Sequence, residues 1–195
     1  WSSDVCSSDL FKDKRVLVVG LARSGLAAVR VLRALGANVI ANDIKSREEL
    51  KEVIEELDPI GVQWALGVTP MDYLDKVDLV VISPGIPIDD PFVRNARDMG
   101  IEVIGEVELA YRLCRAPIVA ITGTNGKTTT TALAGEILTA TGKRTYVVGN
   151  IGIPFVGIAT EASESQIVVA EISSFQLESI HAFHPKVSAI LNITE

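Results

Sequence analysis

Cysteine, histidine and aromatic residues are scarce in this sequence of 195 residues. The two cysteines, Cys6 and Cys114, lack the spacing of a zinc cluster, a redox pair or a disulfide framework, so we expect a reducing, cytoplasmic environment. His181 and His184 stand three positions apart, but His184 precedes Pro185 and no third ligand accompanies them. We therefore predict loop or helix-end roles for both histidines rather than a metal site.

Basic residues are also in deficit, with 18 Lys and Arg against 25 Asp and Glu and a net charge of -7. Proteins that bind nucleic acid displace counterions with basic groups, so this balance argues against a nucleic-acid partner. No apolar run approaches the roughly eighteen residues that span a bilayer, and no basic segment leads into one at the start, so we expect no membrane association. The 48% hydrophobic content supplies a packed core, and we expect a soluble monomer.

Both ends of the chain differ from the part between them. Residues 1–10 repeat Ser-Ser-Asp before any periodic pattern begins, and we interpret them as a leader that is foreign to the fold. Residues 186–194 have the pattern of a buried strand, which is followed at once by the last residue, Glu195. We therefore expect a truncated molecule.

Short runs rich in Val and Ile alternate with stretches of helical period, which is typical of parallel strands buried on both faces. The runs are Arg15 to Gly20, Asn38 to Asp43, Asp78 to Ser83, Glu102 to Ile104, Pro117 to Thr122, Arg144 to Val148, Gln166 to Ile172 and Val187 to Ile193. Between the first two, Ser24 to Leu35 is predicted to be a crossover helix that ends at Gly36. This order predicts an α/β protein with a mostly parallel, doubly wound arrangement.

The phosphate-binding signals divide the predicted fold into two domains. Residues 11–105 form a Rossmann-like parallel-sheet domain, and residues 106–195 form an incomplete P-loop ATPase-type α/β domain. The connector is a helix from Glu106 to about Arg115, because Pro117 limits its continuation and Cys114 is expected to pack within it.

The strongest local signal is a glycine loop between a buried strand and a helix that runs to about Thr141. It reads Gly123-Thr124-Asn125-Gly126-Lys127-Thr128-Thr129. In a P-loop the backbone N–H groups surround a polyphosphate, the lysine reaches the β and γ oxygens, and the next hydroxyl ligates magnesium. Lys127 and Thr128 fit these roles, although the general pattern needs its first glycine at Ile121. A plain strand-to-helix turn with an exposed lysine stays an alternative.

The first predicted domain carries a weaker signal, Gly20-Leu21-Ala22-Arg23-Ser24-Gly25, directly after a strand. It is similar to a dinucleotide fingerprint, with Asp43 at the end of the next strand, but Ala22 replaces the middle glycine. A turn without a ligand, and a helix-cap role for Asp43, stay open. The turn around Gly85 lies at the same predicted edge of the sheet, where open sheets bind ligands.

A third signal is Glu171, which ends a buried run and is followed by Ser173 and Ser174. A carboxylate at this place could hold a divalent cation near nucleotide phosphates. A capping role or a paired surface acid is the alternative.

Several segments together resemble the Mur ligases of peptidoglycan synthesis, over residues 11–195. They are Gly123 to Thr128, Gly149-Asn150-Ile151-Gly152, Glu171 to Glu178 and Leu191-Asn192-Ile193-Thr194-Glu195. The likeness is greatest to members that add D-glutamate to UDP-N-acetylmuramoyl-L-alanine, and a glycine at 123 instead of 121 is the family's form. The resemblance implies three domains, for the UDP part, ATP and D-glutamate, of which the third is absent from this chain.

The resemblance also implies a role for each site residue. Uridine or diphosphate would be contacted by Ser24, Asp43 and Gly85, and the sugar and peptide end would face Asn150, Ser173 and Gln176. ATP would be bound by Gly123, Thr124, Asn125, Gly126, Lys127, Thr128 and Thr129. Mg2+ would be ligated by Thr128 and Glu171, and the catalytic residues would be Lys127 and Glu171. The implied reaction phosphorylates a carboxylate and then forms an amide. Because other family residues would lie beyond Glu195, we expect no activity from this chain alone.

Three other functions stay open. The chain could belong to a Mur ligase for another amino acid, to a nicotinamide-dependent reductase that uses Gly20 to Asp43, or to a non-catalytic nucleotide-binding switch. A reductase would bind NAD and ignore UDP-sugars, whereas a switch would bind ATP without a UDP ligand.

Overall fold

Two parallel β-sheets with flanking helices make up the structure, a computed structural model that describes residues 10–150 and 152–194. The strands are β1 (Arg15–Val19), β2 (Asn38–Asp43), β3 (Gln63–Leu66), β4 (Leu79–Ile82), β5 (Glu102–Gly105), β6 (Ile118–Thr122), β7 (Thr145–Gly149), β8 (Ile167–Glu171) and β9 (Val187–Ile190). The first sheet has the order β3-β2-β1-β4-β5 and the second β7-β8-β6-β9. The predicted α/β fold class is confirmed.

The helices alternate with the strands. They are α1 (Arg23–Ala34), α2 (Lys51–Leu57), α3 (Pro91–Asp98), α4 (Glu106–Leu113), α5 (Lys127–Ala140), α6 (Val156–Ala159) and α7 (Ser174–Leu177), with 3₁₀ helices at Asp58–Ile60 and Pro70–Lys76. In the described ranges, none of them combines the length and the apolar character needed to cross a bilayer. The predicted leader falls almost wholly on residues 1–9, which lie outside the described residues, as do Ile151 and Glu195.

The central strands of the first sheet are apolar because both of their faces are covered. Residues 16–19 of β1 and 79–82 of β4 are all buried, and the two strands pair in parallel from Val16 with Leu79 onward. Helix α1 packs on this sheet through Ala28, Val29 and Leu32, which are fully buried. Its bounds differ by one residue at each end from the helix predicted by periodicity.

The sequence interpretation missed β3 and misjudged β9, and both strands lie at sheet edges. In β3 only Ala65 is buried, so this strand lacks the Val and Ile run that marks the central ones. The run up to Ile193 was predicted as a buried strand, but β9 ends at Ile190, and Val187 and Ile190 are 54% and 65% exposed. β9 pairs with β6 alone among the described strands, and the chain then turns toward the loop after β6.

Helix α4 joins the two sheets and ends two residues earlier than predicted. Its Glu108 is fully buried and accepts hydrogen bonds from the backbone N–H groups of residues 181–183, at 2.8–3.1 Å, and from Arg112 Nε at 2.9 Å. His181 Nε2 lies 3.0 Å from the carbonyl oxygen of Val103, which gives this histidine a loop role. The buried glutamate thus attaches the loop at residues 181–183, which precedes β9, to helix α4.

A second buried glutamate, Glu106, begins the same helix and is 2% exposed. Its Oε1 accepts a hydrogen bond of 2.6 Å from the N–H of Val156 in α6, and its Oε2 has no partner among the described residues. Burial raises the pKa of the Glu106 carboxyl from 4.5 to about 7, against the effect of the N–H groups of Val156 and Phe155.

The raised pKa of Glu106 predicts a pH-dependent stability. Between pH 4.5 and about 7 the folded chain keeps a proton that the unfolded chain has lost, so this group's contribution to stability falls as pH rises through that window. The fall amounts to about 3 kcal/mol, because one pKa unit corresponds to ~1.4 kcal/mol. In Glu106→Gln the dependence should flatten, since the amide keeps the acceptor for Val156 and has no proton to lose. Urea unfolding of the unmodified protein and of Glu106→Gln gives the free energy of unfolding of each at pH 5 and pH 8. If that free energy changed equally with pH in the two proteins, the assignment to Glu106 would be wrong.

Candidate ligand cleft and phosphate loop

The part of the chain built around the first sheet is the first unit, and the part built around the second sheet is the second unit. A cleft of about 1080 Å³ opens at the carboxyl edge of the first sheet and reaches across to the second unit. The turns after β1, β2 and β4 line one side, and Asn150, Pro154 and Gln176 line the other. Of the predicted substrate residues, the cleft brings together Ser24, Asp43, Gly85, Asn150 and Gln176. A ligand in this cleft would contact both units.

The turn after β1 is built for close packing of α1 against the strand end. A Cβ at Gly25 would overlap the carbonyl oxygen of Gly20, so a larger residue at position 25 would push the helix away. The same carbonyl accepts a hydrogen bond of 2.6 Å from Ser83 Oγ, which ties the turn after β4 to the turn after β1. Ser24 and Gly85 thereby come to the same wall of the cleft.

Asp43 holds the backbone at the base of this wall. Its Oδ2 accepts a hydrogen bond of 2.7 Å from the N–H of Leu21, and its Oδ1 accepts one of 3.0 Å from the N–H of Lys45. Because the next α-helix begins only at Lys51, Asp43 is not a helix cap. Its carboxylate orders the two turns that a ligand would meet.

Arg23 links the two sides of the cleft, which sequence reasoning did not anticipate. Its guanidinium donates a hydrogen bond to the carbonyl oxygen of Gly152, in the second unit. Lys45 also lines the cleft, so two cationic side chains are available to an anionic ligand there.

Ser173 and Gln176 form a capping box at the start of α7. The N–H of Ser173 donates to Gln176 Oε1 at 2.9 Å, and the N–H of Gln176 donates to Ser173 Oγ at 3.3 Å. Gln176 is buried and lines the cleft, whereas Ser173 is not among the lining residues. Ser173 therefore acts on the cleft through the orientation of Gln176.

Glu171 lies between the cleft and the phosphate loop, which is the segment from Gly123 to Gly126. Asn150, which lines the cleft, donates a hydrogen bond of 2.9 Å from its Nδ2 to Glu171 Oε1. On the other side, Glu171 pairs in register with Ile121, two residues before Gly123. The side chain is 1% exposed, so it is not a surface acid.

The second carboxylate oxygen of Glu171 is unsatisfied. Oε2 is buried without a hydrogen-bond partner among the described residues, and burying such an oxygen without compensation costs free energy. The backbone adds a constraint at Gly149, where φ is +104° and a Cβ would overlap the carbonyl oxygen of Glu171. The backbone of Glu171 is thus closely packed against Gly149, and its carboxylate keeps one buried oxygen without a hydrogen-bond donor among the described residues.

The phosphate loop ends at Gly126, which takes a left-handed conformation with φ of +82° immediately before α5. The first N–H groups of a helix have no intrahelical partner and favour an anion. Lys127 Nζ donates to the carbonyl oxygens of Gly123 and Thr124, at 2.7 and 3.0 Å, so the ammonium group lies over the loop. Thr128 and Thr129 are exposed in the first turn of α5.

The donor set around the loop fits magnesium that arrives with a nucleotide. Residues 10–150 and 152–194 contain no group of three or more His, Cys, Asp or Glu side chains that could hold a metal by itself. Magnesium commonly uses one or two protein oxygens, several waters and substrate phosphates, rather than an all-protein cage. The buried, half-satisfied carboxylate of Glu171 and the hydroxyl of Thr128 supply such a partial set.

Asn192 contacts the phosphate loop. The segment from Leu191 to Glu195 includes this residue, but sequence reasoning assigned no role to it. Its side chain forms two hydrogen bonds with the backbone of Asn125, at 2.8 and 2.9 Å. These residues are 67 positions apart, so no local pattern connects them.

Comparison with protein families gives two matches in chain order. Residues 14–105 match the model described as Mur ligase MurD-like, N-terminal domain, and residues 121–195 match the Mur ligase middle domain. The chain belongs to the Mur ligase family. Its relatives include UDP-N-acetylmuramoylalanine–D-glutamate ligases of Alkaliphilus metalliredigens, 55% identical over 185 residues, and Clostridioides difficile, 52% identical over 186 residues. Each alignment covers 94% of this chain and 41% of the relative, so the chain spans about two-fifths of their length.

Solved Mur ligase structures share the fold. UDP-N-acetylmuramate:L-alanyl-gamma-D-glutamyl-meso-diaminopimelate ligase from Neisseria meningitides superposes with a TM-score of 0.56 at 18% identity, covering 93% of this chain and 61% of that one. UDP-N-acetylmuramate-alanine ligase MurC from Thermotoga maritima superposes with a TM-score of 0.53 at 22% identity, covering 92% and 41%. At these identities the likeness concerns the fold alone.

Proposed function

We propose that this Mur ligase chain is part of an ATP-dependent carbon–nitrogen ligase that adds D-glutamate to UDP-N-acetylmuramoyl-L-alanine in peptidoglycan synthesis. The observation that carries the proposal is the position of Glu171, which is bonded to the cleft through Asn150 and paired with the strand that leads into the phosphate loop. The relatives named above as D-glutamate ligases, at 52–55% identity, support the choice of substrate and amino acid.

In this proposal the two units divide the substrates between them. Residues 11–105 hold the UDP part, with Ser24, Asp43 and Gly85 at the uridine or diphosphate. Residues 106–195 hold ATP, with the phosphate loop around the triphosphate and Asn150 and Gln176 facing the sugar and peptide end. D-glutamate would bind to a further domain of the longer protein. The cleft that both units line supports a ligand extending from one unit to the other.

The proposed reaction has two steps. A carboxylate oxygen of the UDP-linked substrate attacks the γ-phosphorus of ATP, a P–O bond forms, and ADP leaves. The amine nitrogen of D-glutamate then attacks the carbonyl carbon of the acyl phosphate, the amine loses a proton, and phosphate leaves as the amide forms. Because both the attacking carboxylate and the γ-phosphate are anionic, the first step depends on positive charge and N–H donors at the loop.

Residues of this chain supply those groups. Lys127 already lies over the loop, and its ammonium can exchange the carbonyl oxygens of Gly123 and Thr124 for phosphate oxygens. Glu171 and Thr128 would hold Mg2+, which when bound offsets phosphate charge. Asn150 holds the carboxylate of Glu171 in place while it lines the substrate cleft.

Two observations favour the ligase over the other candidates. A nicotinamide-dependent reductase would need the backbone to approach the pyrophosphate closely at the middle glycine of the turn after β1, where this chain has Ala22. A switch that binds ATP alone would have no need for a cleft of about 1080 Å³ lined by both units.

Calorimetric titration of a full-length protein that contains this chain tests the proposal. We expect saturable binding of UDP-N-acetylmuramoyl-L-alanine, weaker binding of UDP-N-acetylglucosamine, which lacks the peptide end, and no binding of NAD. ATP with Mg2+ should bind independently. Binding of NAD without binding of the UDP-sugars would instead support the reductase, and binding of ATP alone would support the switch.

A further inference from the structure

The segment after β9 lies against the phosphate loop and is attached to it by Asn192. The N–H of Asn125 donates to Asn192 Oδ1 at 2.8 Å, and Asn192 Nδ2 donates to the carbonyl oxygen of Asn125 at 2.9 Å. The carbonyl oxygen of Asn192 accepts a third hydrogen bond, of 3.0 Å, from the N–H of Thr124. One residue thus binds the backbone of two consecutive loop residues.

This attachment decides which loop N–H groups can face a nucleotide. The N–H groups of Thr124 and Asn125 are directed at Asn192, so they are not available to phosphate in this conformation. Phosphate binding then falls to the N–H groups of Gly126 and the first turn of α5, together with Lys127. The resemblance implied that the whole loop from Gly123 to Lys127 binds the triphosphate. In this conformation Thr124 and Asn125 do not contribute their N–H groups to that binding.

Asn192 also fixes the shape of a loop that glycine would otherwise leave mobile. Gly123 and Gly126 both take positive φ, and a glycine-containing loop has more conformations to lose when it binds a ligand. A loop held in its bound shape before binding avoids part of that ordering cost, which strengthens binding without any contact to the ligand. The neighbouring hydrogen bond from the N–H of Thr194 to Thr124 Oγ1, at 3.2 Å, acts on the same segment.

We propose that Asn192 is a positioning residue for nucleotide binding: its amide holds the phosphate loop in the conformation that presents Gly126, Lys127 and the start of α5 to the polyphosphate. The inference rests on the proposed function, since it assigns the loop to ATP. Asn192 itself is exposed and touches no substrate in this account, so its effect passes through the backbone of Thr124 and Asn125.

The test compares Asn192→Ala and Asn192→Asp with Asn38→Ala in a full-length protein that contains this chain. Asn38 is a matched control, because it is also exposed and donates to one backbone carbonyl, that of Asp13, at the start of β2. For Asn192→Ala we expect the Kd for ATP with Mg2+ to rise about 5- to 30-fold, the effect of two modest hydrogen bonds. Asn192→Asp should bind ATP more weakly still, because it places a carboxylate oxygen against the carbonyl of Asn125 and adds negative charge near the phosphates.

Further measurements separate positioning from general structural damage. In both Asn192 variants the Kd for UDP-N-acetylmuramoyl-L-alanine and the melting temperature should stay close to those of the unmodified protein, and the KM for ATP should rise more than kcat falls. If the unmodified protein binds ATP and Asn192→Ala binds it with the same Kd, this inference is overturned, whereas the proposed function is not. Equal losses of ATP and UDP-substrate binding with a lowered melting temperature would overturn it in favour of a structural role. Failure of the parent to bind ATP would overturn the proposed function, and this inference with it.

Discussion

Replacement of Lys127 by alanine in a full-length protein that contains this chain should lower ligation turnover by about 10²- to 10³-fold or more, the typical cost of removing one preorganised charge-stabilising group. The ammonium group lies over the loop on the carbonyl oxygens of Gly123 and Thr124, so little movement is needed for it to meet a phosphate. No other cationic side chain belongs to the loop or to the first turn of α5. The measurement is steady-state release of phosphate that depends on D-glutamate.

Lys143→Ala is a suitable control, because Lys143 is exposed and lies just after the turn that follows the other end of α5. We expect near-normal turnover from it. Lys127→Arg keeps the charge but replaces a compact ammonium group with a planar guanidinium, and it should recover only part of the activity. Near-normal turnover of Lys127→Ala would show that the assigned role is wrong.

Glu171→Gln should reduce turnover by a similar factor, about 10² to 10³, and should raise the Mg2+ concentration needed for half-maximal activity. The amide is close in size to the carboxylate and can still accept the hydrogen bond from Asn150, so the packing should change little. What is lost is the negative charge at the buried oxygen that has no partner. Magnesium titrations of the ligation rate measure the effect.

Glu106→Gln is the matched control for this substitution. Glu106 is also buried in the described structure with one oxygen unsatisfied, but it lies at the start of the connector helix and contacts α6. The same chemical change there should leave the Mg2+ dependence unchanged and alter only the pH dependence of stability. If both variants shift the Mg2+ requirement equally, Glu171 has no specific role in holding the ion.

The parts of the fold that sequence predicted well are those whose residues are buried on both faces. β2 matches its predicted bounds from Asn38 to Asp43, β1 ends one residue earlier than predicted, and β4 is shorter than predicted by one residue at each end. The apolar content of these strands follows from their central place in the sheet. The edge strand β3 carries a weaker pattern, because water reaches one side of it, and it was missed. β9 was predicted from its apolar run, but it ends at Ile190 and not at Ile193.

The candidate site was located by short motifs, but its connections were not predictable from them. The motif at Gly123 indicated a phosphate loop, yet the partners of that loop come from Asn192, far along the chain. Asp43 was expected at a ligand, and the structure adds that its carboxylate orders the backbone of Leu21 and Lys45. The bond from Arg23 to Gly152 depends on how the two units pack, which no local pattern encodes.

Transfer of a labelled oxygen tests the central claim most directly. The full-length protein is given ATP, D-glutamate and UDP-N-acetylmuramoyl-L-alanine that carries ¹⁸O at both carboxylate oxygens, and the released phosphate is analysed by mass spectrometry. If the substrate carboxylate attacks the γ-phosphorus of ATP beside Lys127, each phosphate released should carry one labelled oxygen from the substrate. Amide product accompanied by unlabelled phosphate would contradict the account.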